Sequence, residues 1–149
     1  MADVDDPTGL GWEVLLPRVG DAVARCHRAL LAEHGLSPTA LVLLTELDRR
    51  GGLSHRELAA RLGRTPATLT PVVDALERAG DVGRARDARD RRVVRLSLTD
   101  EGRERLRRAT AAVAARLPSR LPAPRPEHVG PVRDYLVSVL VALRDPVDP

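Results

Sequence analysis

The sequence predicts a mainly α protein with a small β-hairpin wing, arranged as a winged helix-turn-helix flanked by N- and C-terminal dimerisation helices. Three observations lead to this prediction. Capped amphipathic segments recur along the 149 residues, a glycine turn joins two short ones, and two alternating segments follow. Because Phe is absent and aromatic residues make up 1% of the chain, the core must be built from Leu, Val and Ala, which suits helices.

The first two helices are predicted from capping residues and periodicity. The segment LLPRVGDAVARCHRALLAEHG predicts a helix that stops at Gly35, with an apolar stripe formed by Val19, Val23, Cys26 and Leu30. The next helix has Ser37 as N-cap and Pro38 at its first position, and it stops at Gly51 and Gly52. Its expected buried residues are Leu41, Leu44 and Leu47.

The third and fourth helices form the predicted helix-turn-helix. Ser54 and Glu57 have the spacing of a capping box, and Gly63 ends this short helix. Thr65 then caps a helix whose stripe of Leu69, Val72, Val73 and Leu76 ends before Gly80. Pro71 falls inside this helix, on its outward face, and we predict that the helix continues through Pro71 with a bend there.

The remaining elements are a hairpin and two helices. DVGRA and RVVRLSL alternate around a polar turn and predict two strands, and Thr99 caps a long fifth helix. PSRLPAPRP contains four prolines and is predicted to be a stiff, non-helical connector. A last helix is predicted to begin near Pro131. Its broad apolar face comprises Val132, Leu136, Val139, Leu140 and Leu143.

These elements predict a winged DNA-binding domain over residues 36–99 and a helical dimerisation region over 11–35 and 100–146. The terminal helices carry wide apolar stripes, yet the central domain already has its own small core. A second copy of the chain would bury those stripes, and two-fold symmetry is the commonest arrangement. The sequence therefore predicts a homodimer.

Charge is concentrated on the predicted wing. All 24 basic side chains are arginine, and the net charge is only +3. GRARDARDRRVVR, residues 83–95, contains six Arg against two Asp. A local charge of this size favours an anionic partner, although charged surface loops are common.

The segment from residue 35 to residue 102 resembles the MarR family of bacterial transcription regulators. The most specific part of the resemblance is the wing signature, D-x-R followed by five residues and L-T, which is formed here by Asp90, Arg92, Leu98 and Thr99. The resemblance implies that Arg92 enters a DNA minor groove and that Asp90 orients its guanidinium group. Narrow minor grooves concentrate negative potential, which favours an inserted arginine.

The outward face of the fourth helix is predicted to read the major groove. It carries Ala67, Pro71, Asp74 and Arg78, flanked by Thr68 and Thr70, whose hydroxyls can bond phosphates or base edges. Family members often have Arg where Pro71 stands. The complete set of predicted DNA-contacting residues is Ser37, Thr39, Arg64, Thr65, Ala67, Thr68, Thr70, Pro71, Arg84, Arg86, Arg89, Asp90, Arg91 and Arg92.

The resemblance implies a cytoplasmic repressor that binds a pseudo-palindromic operator in double-stranded DNA and is released by a phenolic or lipophilic small molecule. Trp12, Arg18, Cys26 and residues of the second helix are the predicted lining of the effector site. Two alternatives remain open. TLTP resembles the branch of the family that senses organic hydroperoxides, which makes oxidant sensing through Cys26 conceivable, although Cys26 falls on an apolar stripe. A winged-helix module that binds an acidic protein is the other alternative.

The sequence predicts neither secretion, nor membrane insertion, nor catalysis, nor metal binding. The acidic N-terminus does not read as a signal peptide, and no apolar run is long enough to span a bilayer. No catalytic motif is recognisable, so we expect no enzyme activity and no cofactor. His27 and His34 are seven residues apart beside Cys26 and Glu33, but no further ligand completes a pocket, so no metal site is predicted.

Overall fold

The computed structural model describes residues 7–143, and it is mostly helical with one small sheet. The helices are α1 (Trp12–Ala32), α2 (Pro38–Arg50), α3 (His55–Arg61), α4 (Pro66–Arg78), α5 (Asp100–Arg116) and α6 (Val129–Ala142). The strands are β1 (Leu53–Ser54), β2 (Val82–Arg86) and β3 (Val94–Leu98). The predicted fold class is confirmed.

The sheet has three antiparallel strands rather than the two of the predicted hairpin. Its order is β1-β3-β2, with Leu53 opposite Leu96 and Ser54 opposite Arg95. Sequence analysis missed β1 because two residues are too few to show alternation. This short pairing places the start of α3 directly beside β3.

The core lies where α2, α3, α4, the sheet and the start of α5 meet. Its fully buried side chains are almost all leucine, as the composition predicts: Leu31, Leu43, Leu44, Leu47, Leu58, Leu69 and Leu96. In α2 the prediction was wrong in part, because Leu43 is fully buried and Leu41 is only partly buried. A helical face wider than a three-residue stripe is buried there.

Capping residues act at the starts of four helices. The side chains of Ser37, Ser54, Thr65 and Thr99 accept backbone N–H bonds from the first turns of α2, α3, α4 and α5. Ser54 and Glu57 form the reciprocal capping box that their spacing predicts. These caps determine where α3 and α4 begin, and thereby set the geometry of the helix-turn-helix.

The first helix and the connector differ from the sequence-based expectation. α1 begins at Trp12, ahead of the predicted segment, and contains Pro17. Its predicted apolar stripe is buried only near its end, at Leu30, whereas Val19 is exposed and Cys26 is half-buried. The apolar stripe that contains Cys26 is therefore only partly buried in the single chain.

Residues 118–149 separate from residues 1–117 as a second compact unit. The proline-rich connector, residues 118–126, contains no α-helix, as predicted. One 3₁₀ turn, Pro118–Arg120, lies inside it, and a second, Pro126–His128, begins at its last residue. α6 begins at Val129, two residues before Pro131 and thus near the predicted start. Proline is tolerated there because the first helical N–H groups have no intrahelical partner.

Candidate nucleic-acid interface

α4 is continuous through Pro71, as the sequence predicts. Pro71 is exposed, while Leu69, Val73 and Leu76 are buried on the opposite side. A proline at this position leaves the Ala67 carbonyl without its usual backbone donor. The Thr70 hydroxyl donates to the neighbouring Pro66 carbonyl at 3.0 Å rather than to that of Ala67.

The outward face of α4 carries short side chains and is exposed. Ala67, Thr68, Thr70 and Pro71 are all exposed. The hydroxyl of Thr65 caps the helix, and it shares a hydrogen bond of 2.8 Å with the hydroxyl of Thr68. Because each hydroxyl can also accept further hydrogen bonds, the hydroxyl pair of Thr65 and Thr68 forms a preorganised polar spot beside the apolar side chains of Ala67 and Pro71.

The wing loop, residues 87–93, connects β2 to β3 and is organised by Asp87. Oδ1 of Asp87 accepts the backbone N–H groups of Arg89 at 2.7 Å and Asp90 at 3.1 Å. Oδ2 accepts Nε of Arg95 at 2.6 Å. These bonds, with Arg95 first, lower the pKa of Asp87 to about 2, so the loop is held by a carboxylate that stays ionised near neutral pH.

Asp90 contacts Arg92 through the backbone, and not as the resemblance implies. The Asp90 carboxylate accepts the Arg92 backbone N–H at 3.0 Å. Within residues 7–143 no ion pair joins the two side chains. Asp90 therefore shapes the turn that carries Arg92, because a short acidic side chain readily bonds the backbone two residues on. The guanidinium group of Arg92 is left exposed.

The arginines of the hairpin fall into two groups. Arg84 lies between two carboxylates of α4, at 2.5 Å from Asp74 and 2.9 Å from Glu77. Its guanidinium group therefore connects β2 to α4 rather than pointing freely outward. The second group comprises the exposed hairpin arginines for which no ion pair is found among residues 7–143: Arg86, Arg89, Arg91 and Arg92.

The other predicted contact residues lie near the helix-turn-helix. Ser37 is exposed and accepts the Ala40 N–H at 3.1 Å. Thr39 and Arg64 line one small cleft together with Pro38, Val42 and Leu62, where the start of α2 meets the turn before α4. This cleft brings together residues that the sequence separates, and it lies beside the N-terminus of α4.

Of the predicted effector residues, Trp12, Arg18 and Cys26 do not line the groove formed by α2 and α5, whereas residues of the second helix do. This open groove has a volume of about 600 Å³ and is lined by Thr45, Asp48, Arg103, Leu106, Arg107, Thr110, Ala111 and Ala114. Trp12 is 66% exposed at the start of α1. The roles of Trp12, Arg18 and Cys26 in effector binding stay predictions.

In the part of the chain that the structure describes, no three His, Cys, Asp or Glu side chains are grouped so that they could hold a metal ion. None of the helices from residue 7 to residue 143 combines the length and apolarity that crossing a bilayer requires.

Comparison with known proteins places this geometry in a family. The MarR family model matches residues 36–94. The HTH-type transcriptional repressor Rv2887 of Mycobacterium tuberculosis is 37% identical over 123 residues, which span 80% of this chain and 87% of the repressor. The chain belongs to the MarR family. MarR-family transcriptional regulators are non-enzymatic DNA-binding proteins.

Other relatives match over a smaller part of their length. The HTH-type transcriptional regulator TtmR of Methylorubrum extorquens is 40% identical over 101 residues, or 66% of this chain and 52% of TtmR. The matched part of this chain thus spans about half the length of several curated MarR-type relatives.

Solved structures of MarR-type repressors share the fold. The repressor CouR, bound to a 23-mer DNA duplex, is 32% identical with a TM-score of 0.74, over 91% of this chain and 93% of CouR. CouR from Rhodococcus jostii bound to p-coumaroyl-CoA is 31% identical with a TM-score of 0.65, over 90% of this chain and 93% of CouR.

Sequence reasoning missed the ion pairs that link the wing to the helices. Glu57 was recognised only as a cap and Arg95 only as one charge of the wing. In the structure they are 2.8 Å apart. They are 38 residues apart in the chain, and no periodicity relates residues in different elements at such a distance. The missing signal was the β1 pairing, which places Ser54 opposite Arg95.

Proposed function

We propose that this MarR-family chain is a homodimeric, sequence-specific DNA-binding repressor that a small molecule releases from a pseudo-palindromic operator. The observation that carries the proposal is the wing loop, which presents Arg89, Arg91 and Arg92 as exposed guanidinium groups without ion pairs among residues 7–143. Exposed arginines of this kind suit a groove of high negative potential. The neighbouring CouR structure contains a DNA duplex, which supports the same partner here.

Two contact modes follow from the two surfaces. The wing arginines supply charge, so they contribute affinity for any sequence. The outward face of α4 carries threonine hydroxyls and the apolar groups of Ala67 and Pro71, which suit base edges and thymine methyl groups. Specificity is therefore assigned to α4, and most of the salt-dependent affinity to the wing.

The dimer is proposed from apolar exposure on α6. Val132, Leu136, Leu140 and Leu143 are all exposed in the single chain, with Leu140 at 67% and Leu143 at 70%. Contiguous apolar faces of this kind are uncommon on monomers and indicate a covered surface. A second copy is the proposed cover, because two-fold dimers are the commonest assemblies and a palindromic operator would match their symmetry.

The proposed effector is a lipophilic or phenolic anion. CouR is seen with p-coumaroyl-CoA, which is an anionic phenolic thioester. In this chain the groove of α2 and α5 combines Leu106 and alanines with Arg103 and Arg107, a lining that suits such a molecule. The two recognition helices of the dimer would have one spacing that fits DNA and another that does not. Binding in the groove would release DNA only if the ligand binds more tightly to the spacing that does not fit DNA.

DNA binding is tested by fluorescence anisotropy on the duplex upstream of the chain's own gene, with a random duplex as the comparison. Arg92→Ala is expected to weaken binding to both duplexes by roughly tenfold or more, and to reduce the salt slope by about one per wing. Arg120→Ala, which removes an exposed charge from the connector, is the matched control and should change neither quantity. Equal affinity of wild type and Arg92→Ala would contradict the wing assignment.

Sequence preference is tested on α4. Thr68→Ala removes a hydroxyl from the polar spot while the cap at Thr65 remains. It is expected to alter the ranking of operator variants by about 1 kcal/mol and to leave random-duplex affinity unchanged. If the wild type binds neither duplex at low salt, the repressor proposal fails, and the protein-interaction alternative becomes the better reading of the basic wing.

Oxidant sensing through Cys26 is the alternative release mechanism. The Cys26 thiol is half-buried, and reactive thiols need exposure together with a lowered pKa. Release of bound DNA by organic hydroperoxide in the wild type, with no release in Cys26→Ser, would establish this mechanism in place of the small-molecule one.

A further inference from the structure

Arg95 lies on β3 between the wing loop and the first turn of α3. Its Nε donates to Oδ2 of Asp87 at 2.6 Å, and its Nη1 donates to Oε2 of Glu57 at 2.8 Å. The two bonds face different elements, because Asp87 begins the wing loop and Glu57 lies in α3. One guanidinium group therefore bridges two parts of the proposed DNA interface.

The bridge depends on the sheet register and on the capping box. Ser54 pairs with Arg95 across β1 and β3. Glu57 Oε2 accepts the Ser54 N–H at 2.7 Å, so the carboxylate that caps α3 is already held beside β3. Because the capping box preorganises this acceptor, Arg95 finds it in place without further ordering of the Glu57 side chain.

On the other side of the bridge, Asp87 holds the wing loop. Its Oδ1 bonds the N–H groups of Arg89 and Asp90, while its Oδ2 is left for Arg95. The Asp87 N–H itself donates to the Val93 carbonyl at 2.9 Å, which closes the base of the loop. The position of the exposed wing arginines is thus connected through Asp87 to Arg95 and onward to α3.

We propose that Arg95 is a positioning residue for DNA binding, which sets where the wing arginines stand relative to the helix-turn-helix. The inference rests on the proposed function and adds to it a residue that acts through others. Two of the guanidinium nitrogens bond carboxylates, and the trio of Arg95, Asp87 and Glu57 has a net charge of −1. Arg95 is therefore poorly suited to bind a phosphate itself.

The role is one of placement more than of stability. The Arg95 side chain is 35% exposed, and ion pairs exposed to this degree add little to folding free energy. Placement matters more, because the wing and α4 must contact adjacent grooves of one duplex at the same time. A mobile wing loop has a lower effective concentration at the minor groove, so it binds less tightly.

A double-mutant cycle tests the proposal on the operator duplex. Arg95→Ala is expected to weaken binding about tenfold with the salt slope unchanged, whereas Arg92→Ala reduces that slope. In the Arg92→Ala background, Arg95→Ala is expected to cost less than threefold, because the positioned arginine that is proposed to enter the minor groove is gone. Fold-changes that simply multiply would overturn the proposal, since they would mean that Arg95 acts independently of the wing.

Conservative and control variants separate placement from charge. Arg95→Lys keeps the charge but offers one compact ammonium group in place of the two-sided fork, so it is expected to recover only part of the affinity. Asp87→Asn breaks the bridge from the other side and should weaken binding as Arg95→Ala does. Arg50→Ala, which removes an exposed arginine paired with Glu46 on α2, is the matched control and should leave DNA affinity unchanged. Full recovery with Lys would overturn the positioning role.

A DNA-free measurement makes failure of this inference distinguishable from failure of the proposed function. NMR order parameters of the Arg89, Asp90 and Arg92 amides are expected to fall from rigid values towards about 0.6 in Arg95→Ala, while those of α4 stay unchanged. Unchanged order in the wing loop would overturn the inference whether or not the protein binds DNA. If the wing loop loses order in Arg95→Ala but the wild type binds no DNA, the bridge is retained and the repressor proposal is rejected.

Discussion

Asp81 follows the turn after α4 and is buried to 1% exposure. Nη1 of Arg105 lies 3.0 Å from its Oδ2, yet neither carboxylate oxygen has a hydrogen bond of good geometry. Burial raises the pKa of Asp81, and the charge of Arg105 only partly opposes this. Asp81 also lines a groove at the start of α5, and the other charged residues of that groove include Asp100, Glu101, Glu104 and Arg108.

The raised pKa of Asp81 leads to a prediction about stability and pH. A raised pKa means that the folded state favours the protonated form, so the stabilisation is present below about pH 3.8 and is lost as pH rises through the folded-state pKa. Asp81→Asn should therefore be more stable than wild type at neutral pH, by roughly 1 kcal/mol or about 3 °C in Tm. Thermal unfolding monitored by circular dichroism between pH 3 and pH 8 measures the difference.

The control for this prediction is an exposed carboxylate. Asp134→Asn changes the same group where its side chain is open to solvent, and it should shift Tm little at any pH. If Asp81→Asn proves less stable than wild type at neutral pH, the Arg105 ion pair outweighs burial, and the pH dependence should run in the opposite direction.

At the scale of single residues, local chemistry was predictable and burial was not. The reciprocal bonds of Ser54 and Glu57 follow from a three-residue spacing, so the sequence contains all that is needed to predict them. Asp81 follows Gly80 and reads as a turn residue. It is buried because Thr99 bonds the carbonyls of Gly80 and Asp81, and because Gly102 of α5 approaches the Asp81 backbone so closely that a side chain there would clash.

At the scale of elements, Pro71 allows the proposed DNA-reading helix α4 to be altered without changing the residues that pack in its core. It is exposed, and its ring removes one backbone hydrogen bond from α4. Replacement by Ala or Arg restores the N–H donor to the Ala67 carbonyl, so both variants should be more stable, by about 1–3 kcal/mol. Urea unfolding measures this, and equal or lower stability would mean that a bend at Pro71 improves packing.

The same two variants separate shape from chemistry in DNA recognition. Pro71→Arg places a guanidinium group where it can bond guanine in two places, so selection from a random duplex library should enrich guanine in each half-site. Pro71→Ala is the control, because it removes the ring without adding a donor. Guanine enrichment in both variants would point to helix geometry rather than to the new side chain.

Element boundaries were predictable where a cap defines them. Ser37, Thr65 and Thr99 are N-caps, as the sequence predicts. The start of α6 was predicted only to within two residues, because His128 makes no side-chain cap and Pro131 is accommodated in the first turn. The bridge through Arg95 could not be predicted, because it depends on a two-residue strand that brings distant segments together.

At the scale of the whole molecule, DNA binding is expected to depend on assembly. The proposed dimer binds two half-sites at once, so each recognition helix raises the local concentration of the other. Leu140→Asp places a charge in the exposed apolar face of α6. It is expected to give monomers in analytical ultracentrifugation and to weaken operator binding by about 100-fold or more.

A charge on another face of the same helix provides the control. Ser138→Asp also introduces an acid on α6, at an exposed polar side chain two residues before Leu140 and therefore on the opposite side of the helix. It should remain dimeric and retain most of its operator affinity. A Leu140→Asp protein that sediments as a dimer would show that α6 is not the assembly surface, and the exposed apolar residues of α1, such as Val19, would become the next candidates.

The position of Trp12 gives the molecule a single optical reporter. Trp12 is the only tryptophan of the chain, and it stands at the first residue of α1, whereas α4 and the wing contain no aromatic residue. Tryptophan fluorescence therefore does not report directly on contacts made by α4 or the wing, the proposed DNA-binding surfaces. Any change in its intensity or colour on adding DNA would record an event at α1, and so would give a label-free view of communication between the two ends of the regulator.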